Sequence, residues 1–572
     1  MRADARVRAG YVALAAGGAA LVMGLHRANP RFLVSAHGLL HAAIVERLRS
    51  GGLRLPPENP FFAGEPLPYY WAFHALAALG GGLLGLDPLR SLELWIVAAW
   101  VALVAACARA APWLYGRAGL GLLAAWLALA GANVQAPLVA LYRRIRVGPE
   151  VFHDHGNYLW GLAHPMLGTM RLWDGGALYG PLVNFFLNVT SRPVALGALA
   201  AGVALLPPVL ARGRPVPTLA LGLVVAFATA MSVVLGLPAA LALAAGVGVA
   251  TLRRRRAGHP PPWPGLAPAL VALVGGAALG FLPAAHLDLG GAPVSAPGSA
   301  LGKLAAMGAA AWPVALLALV GWHRASGVRR ALLEALGWAA LALAAGTIVL
   351  SLPEGNEVNL YHAALLLLAL AAPAAFATGD PGRARRRAWI AALAFVPTFA
   401  MILACYLVRP PVPIAVRGDR LVRTDAPAAH AYAWIRSQAP EDAVIVTEPG
   451  PPPLAVSGNT SEVPALTGRD LFTERPRHYV VAPHPELEAR VAAARALLAG
   501  GPVTPAQAAV LRAPGRPLLL LVDPRVPAPA RSALALRHGP PLFAEGRWAV
   551  YAPALPVPDA AATDGGDDGE AG

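Results

Sequence analysis

Long apolar stretches alternate with short polar loops over the first 408 residues, and arginines collect in every second loop. A helix that crosses a bilayer needs about 20 mostly apolar residues. Eleven stretches meet or approach that length: 8–25, 91–108, 119–138, 193–211, 217–234, 236–252, 265–285, 304–322, 331–351, 360–378 and 388–408. The first follows Arg2, Arg6 and Arg8 in the manner of a signal peptide. Leu25-His26-Arg27 offers no small-residue cleavage site, however, so the stretch reads as an uncleaved anchor.

Arginine placement orients the chain. The N-terminus and loops 109–118, 212–216, 253–264, 323–330 and 379–387 are the short arginine-bearing loops, and with these in the cytoplasm every stretch crosses once without conflict. Loops 26–90, 139–192, 286–303 and 352–359 and everything after 409 then face outward. Trp71 to Leu86 is also apolar, but a crossing there would carry loop 109–118 outside. That segment therefore reads as a helix lying in the outer interface.

The pattern changes past 409. Helical spacing marks 428–438 and 485–498, while 443–447, 517–522 and 548–551 read as short buried strands. Three parts are expected: an α-helical polytopic membrane domain over 1–408, with long outer loops 26–90 and 139–192; a small extracytoplasmic α/β domain over 409–556; and a disordered acidic tail over 557–572. The location that follows is the cytoplasmic membrane, multi-pass, with the N-terminus inside and the C-terminal domain outside.

Composition narrows the class. Hydrophobic residues make up 57% and charged residues 13%, with a mean hydropathy of +0.54. A soluble chain carries about 25% charged residues, so a water-soluble globular enzyme is excluded. The formal charge of +15 is nearly all arginine, because Lys303 is the single lysine. Arg253–Arg256 and Arg383, Arg385, Arg386 and Arg387 abut apolar stretches and read as topology anchors, not as a nucleic-acid surface. Cys107 and Cys405 fall inside apolar stretches, so no disulfide framework is expected.

Ionisable groups inside a bilayer are costly and mark function. The stretches from 193 to 322 hold almost none away from their ends, which argues against a transporter with a midplane site. The polar residues gather in the outer loops instead. His37 and His41 are four apart on one helical face, a spacing that reads as a helix lying at the water line, with metal binding as the alternative. Between Pro57 and His74, an aromatic belt accounts for Tyr69, Tyr70 and Trp71 but not for Glu58 and Glu65 in a Pro-rich turn. The second outer loop holds His153-Asp154-His155, then His164, Arg171 and Asp174. Arg143, Arg144, Arg146, Arg171 and Arg192 can pair with a lipid phosphate or simply snorkel to the membrane edge. Glu354 and Glu357, with Gly355 between them, either face one cavity or sit in a solvated loop.

The order of spans, the first outer loop ending in Ala63-Gly64-Glu65-Pro66-Leu67-Pro68-Tyr69-Tyr70, and the outward α/β domain resemble the GT-C superfamily of membrane glycosyltransferases. The nearer likeness is to its uncharacterised bacterial branches. The resemblance implies transfer of a sugar from a polyprenyl-phosphate-linked donor to an extracytoplasmic acceptor, with membrane lipid as a partner. It also implies an acid early in the first outer loop, a second acid in the next, and sometimes a divalent metal. Asp154 stands where the second acid is expected, with His153 and His155 as metal ligands or orienting groups. The first-loop Asp of the family is not present, and Ala36-His37 occupies its approximate place. The base that takes the acceptor hydroxyl's proton is then His37 or Glu58. His41, Glu65, Tyr69, Tyr70, His74, Arg171, Arg192, Glu354 and Glu357 are the expected substrate and lipid-phosphate contacts. Two other classes stay open: a non-catalytic cell-envelope scaffold that keeps the fold, and a transporter of a lipid-linked substrate.

Overall fold

A computed structural model describes residues 5–34, 37–51, 54–138, 180–258, 263–287, 295–352, 355–408, 413–417, 420–450, 460–475 and 480–555. The chain forms two compact units: Met1–His41 with Tyr69–Val412, and Ala42–Pro68 with Pro413–Gly572.

The first unit is helical. Among the described residues, nine helices are long and apolar enough to cross a membrane: Ala5–Ala28, Pro88–Leu114, Arg192–Arg212, Val233–Arg256, Leu266–Ala284, Ser299–Arg324, Gly327–Val349, Val358–Phe376 and Pro381–Ala404. The remaining two expected spans fall on shorter apolar helices, Leu120–Ala130 and Pro215–Met231. The chain is thus a multi-pass α-helical membrane protein with a small sheet-bearing C-terminal unit. The Ala72–Leu84 helix has 13 residues. At 1.5 Å per residue it is about 20 Å long, too short for a hydrocarbon core of about 30 Å. It packs against the first turns of the Pro88–Leu114 helix, where Ser91 Oγ donates to the Ala77 carbonyl. Asp87 starts that longer helix, its carboxylate accepting from the Leu89 and Arg90 amides at 2.9 and 3.2 Å.

The span expected over 119–138 differs from a continuous helix: it stops at Ala130, and Asn133 takes a φ of 55°. Proline supplies the physical reason. Pro313, inside the Pro297–Arg324 helix, has no N–H for the Ala309 carbonyl. Gln135 Nε2 donates to that carbonyl, the Asn133 amide donates to Ala310 O at 2.8 Å, and Thr398 Oγ1 donates to Asn133 O at 3.0 Å. Irregular backbone survives at this depth because neighbouring helices satisfy it.

The two ends of this unit differ in chemistry. At one end the arginine-bearing loops meet: Arg117 donates to Gly379 O, Arg324 to Ala375 O and Arg254 to Gly327 O, while Arg253 pairs with Glu334 at 3.1 Å. Tyr11 OH, on the first helix, donates to Ala118 O at the same end. The opposite ends of these helices carry His26, Glu93, Lys303 and Glu357.

The second unit holds a five-stranded sheet of order β4-β3-β5-β7-β6: β3 (Val444–Val446), β4 (Asp470–Leu471), β5 (Leu518–Val522), β6 (Phe543–Glu545) and β7 (Trp548–Tyr551). Strands β4, β3 and β5 run parallel, and β7 and β6 complete the sheet antiparallel. An antiparallel hairpin of β1 (Ile414–Arg417) and β2 (Arg420–Arg423) precedes it. Helices Ala426–Gln438, Leu487–Leu498, Pro505–Arg512 and Ala528–His538 accompany the strands, and Val446, Leu497, Leu520 and Leu534 lie in the core. Segment 42–68 is part of this unit. Ala63 N–H donates to Leu471 O at 2.9 Å, Leu471 N–H donates to Pro60 O at 2.8 Å, and Ala63 itself is in the core. Buried Arg490 stacks over Phe62, 4.0 Å from its ring centre, and donates to Ala63 O at 2.7 Å.

Candidate active site

The helical unit gathers histidine, tyrosine and arginine around the start of the Gly38–Ser50 helix. His37 precedes that helix with a φ of 74°, a left-handed conformation uncommon outside glycine. Gly38 must be glycine, because a Cβ there would collide with the Leu33 carbonyl. One turn on, His41 Nδ1 lies 2.8 Å from His74 Nε2, with the rings stacked at 5.0 Å. A hydrogen bond between two imidazole nitrogens needs one donor and one acceptor, so a neutral pair takes complementary tautomers. Burial keeps both neutral: it pulls His74 down to about 3, and lowers His41 well below its usual value, where a proton would also be repelled by Arg192 and by a protonated His74 or His37.

Aromatic residues enclose the pair. Tyr69 packs 6.3 Å from His41 and 5.9 Å from His74, and Phe73 lies edge-on to His41 at 6.1 Å. Tyr69 OH donates to Tyr70 OH at 2.8 Å, and Ser191 Oγ donates to the same Tyr70 oxygen at 3.3 Å. Arg192 opens the next helix with its guanidinium 5.2 Å from the Phe185 ring centre, and His362 meets that ring from another side at 4.3 Å. His37, His41, Tyr69, Tyr70, His74 and Arg192 therefore come together.

Glu58 and Glu65 belong to the other unit. Glu58 accepts from Arg47, from Arg516 at 2.6 Å and from the Gly64 amide at 2.7 Å. Burial pushes its carboxyl up, but the Gly64 amide and the two guanidiniums outweigh that and hold it below the usual range. Asp470 shares the two arginines, at 2.7 Å from Arg516 and 3.5 Å from Arg47. Glu46 pairs with Arg436, and Glu65 lies 4.0 Å from Arg490. Glu357 takes part in a third arrangement, in the helical unit: Lys303 Nζ sits 2.7 Å from its carboxylate and donates to Ser295 Oγ and Leu350 O, while Leu352 N–H donates to Glu357 Oε2 at 3.0 Å. Asp154, His153, His155, Arg171 and Glu354 lie outside the described residues. Among the described residues, no three His, Cys, Asp or Glu side chains come together to hold a metal ion.

Sequence reasoning overlooked one buried polar group. His26 Nδ1 meets Glu93 Oε1 at 2.8 Å, Arg90 donates to Glu93 Oε2 at 2.7 Å, and His26 Nε2 reaches Leu187 O at 3.0 Å. The available signal was Glu93 itself, a carboxylate in the early turns of an apolar span, with Arg90 three residues before it. Segment 185–192 ties this group to the histidine pair, since it supplies Leu187 O, the Phe185 ring, Ser191 and Arg192.

No family model and no curated protein matches the chain. Among solved structures, apo ArnT from Cupriavidus metallidurans aligns with a TM-score of 0.51 at 13% identity, covering 95% of this chain and 98% of that one. ArnT bound to undecaprenyl phosphate gives 0.49 at 14% identity, over 95% and 97%. The Archaeoglobus fulgidus oligosaccharyltransferase with a tethered acceptor peptide gives 0.48 at 10% identity, over 92% of this chain and 70% of that one. With nearly the whole of both chains aligned in the first of these, the chain has the fold of ArnT.

Proposed function

We propose that the protein is a membrane glycosyltransferase that moves a sugar from a polyprenyl-phosphate-linked donor to an acceptor outside the cytoplasmic membrane. The observation that carries this reading is the end-to-end fold likeness to ArnT, a protein also solved with undecaprenyl phosphate. In the reaction the acceptor hydroxyl oxygen attacks the anomeric carbon, the bond from that carbon to the phosphate oxygen breaks, and polyprenyl phosphate leaves. The hydroxyl proton passes to a base. His37 is the base in this reading, since both oxygens of Glu58 are held by arginines or a backbone amide. Asp154, with His153 or His155, orients the site. Arg192 and Arg171 hold the donor phosphate, Tyr69 and Tyr70 line its approach, and the neutral His41–His74 pair fixes the wall behind them. Glu357 contacts the acceptor in this reading. The arginine-bearing end of the bundle lies in the cytoplasm, and the C-terminal unit outside.

One observation favours a second reading, a non-catalytic envelope scaffold on the same fold. The two carboxylates between His26 and Glu58 that the family's first-loop acid would need, Glu46 and Glu58, are both engaged by arginines. The test is turnover by the purified full chain with Asp154→Asn and His37→Ala variants. Glycosyl transfer lost in both supports the enzyme, and transfer unchanged in both removes these roles. No transfer by any form, with labelled lipid also staying on its own leaflet of a vesicle, leaves the scaffold.

A further inference from the structure

We infer that the arginine-bearing end of the helical unit contains a phosphate site, built to take the headgroup of an anionic phospholipid. A cavity of about 290 Å³ opens there, lined by Arg324, Ser326 and Arg329 with Leu114, Ala374 and Thr378 from two other segments. Among the described residues, both charged side chains in its lining are arginines, and no Asp or Glu lines it. Arg324 spends one donor on Ala375 O at 3.0 Å. Its other donors, and the whole Arg329 guanidinium, have no protein acceptor among the described residues. Ser326 caps the Gly327–Val349 helix without a side-chain hydrogen bond, so its hydroxyl is also available.

The Arg329 side chain has a seat. Gly116 follows the Pro88–Leu114 helix with a φ of 69°, and a Cβ there would collide with the Arg329 guanidinium. The chain needs glycine here both for the left-handed turn and for the close approach of that guanidinium. Two planar guanidiniums beside two hydroxyls, at the positive end of a 23-residue helix, match the oxygens of a phosphate mono- or diester. The pocket lies at the ends of membrane spans, between Arg324 closing one and Gly327 opening the next. Basic pockets between spans at a membrane face are where anionic lipid headgroups bind. A soluble phosphate ester would meet the same chemistry, and the experiment separates the two.

The probe is phosphatidylglycerol. Native mass spectrometry of the purified full chain, taken from phosphatidylcholine bilayers with and without phosphatidylglycerol, reads how much anionic lipid stays bound. Arg329→Gln should lower that retention about tenfold, and it removes no protein hydrogen bond, so the fold is kept. Arg386→Gln with Arg387→Gln, two arginines as exposed as Arg324 and Arg329 but outside the cavity, should leave retention unchanged. Lipid that resists inorganic phosphate identifies a membrane headgroup; lipid displaced by it identifies a soluble phosphate ester as the ligand. Wild-type retention in Arg329→Gln, or an equal loss in the Arg386/Arg387 control, overturns the site.

Discussion

Acid should destabilise the helical unit through the buried His41–His74 pair. A histidine with its folded pKa below its unfolded one takes up a proton more readily when unfolded, so folding loses free energy as pH falls below the unfolded value. His74 is held at about 3 against 6.5 unfolded. The stabilisation is therefore complete above about pH 7.5 and shrinks on acidification. Near pH 5 the deficit from His74 alone is about 1.5 pH units, or about 2 kcal/mol, and His41 adds in the same direction. The assay is the apparent melting temperature of the detergent-solubilised full chain between pH 5 and 8, compared with His41→Phe/His74→Phe. Replacing both partners with apolar rings of similar shape costs little at pH 8 and removes this acid dependence, while other histidines titrate equally in both proteins. His74→Phe alone should cost about 1–3 kcal/mol at pH 8 by leaving the His41 nitrogen without its partner. Parallel melting-temperature profiles for wild type and double variant refute the reasoning.

Other outcomes follow from single contacts. Glu58→Gln should loosen segment 42–68 from the C-terminal unit by about 1.5–3 kcal/mol, the range for hydrogen bonds to a charged group; limited proteolysis near residue 54 should quicken. Lys303→Met should cost about 3–5 kcal/mol by leaving the buried Glu357 unpaired, and Lys303→Met/Glu357→Leu should recover most of that in denaturant unfolding. Pro313→Ala gives the Ala309 carbonyl a helical partner, so Gln135→Ala should be nearly neutral in that background while costing about 1 kcal/mol in the wild type; a double-mutant cycle reads the difference.

Much of the fold was legible because membrane spans are written as runs of apolar residues. All eleven expected spans fall on apolar helices, and helix 428–438, helix 485–498 and the three buried strands each have a counterpart. Among the elements missed, besides the β1–β2 hairpin, β6 and the short Val463–Thr467 and Pro505–Arg512 helices, were β4, only two residues long, and the exposed Ala528–His538 helix, neither of which carries a strong periodic signal. The break at Gly131 was hidden because its cause, Pro313, lies in a different span. The site was half legible. Clustering of His41, His74, Tyr69 and Tyr70 follows from one outer loop, but the loop's division between two units does not: Glu58 looked like a site carboxylate until Arg47 and Arg516 surrounded it. A partner 458 residues away leaves no trace in local spacing.

The central claim is tested most directly by whether the chain cleaves a lipid-linked sugar. Purified full chain in proteoliposomes, given a radiolabelled polyprenyl-phosphate sugar and a cell-envelope acceptor extract, should release polyprenyl phosphate in step with labelled acceptor, and Asp154→Asn should stop both. Intact lipid-linked sugar after incubation with the wild type, or equal release by Asp154→Asn, contradicts the account.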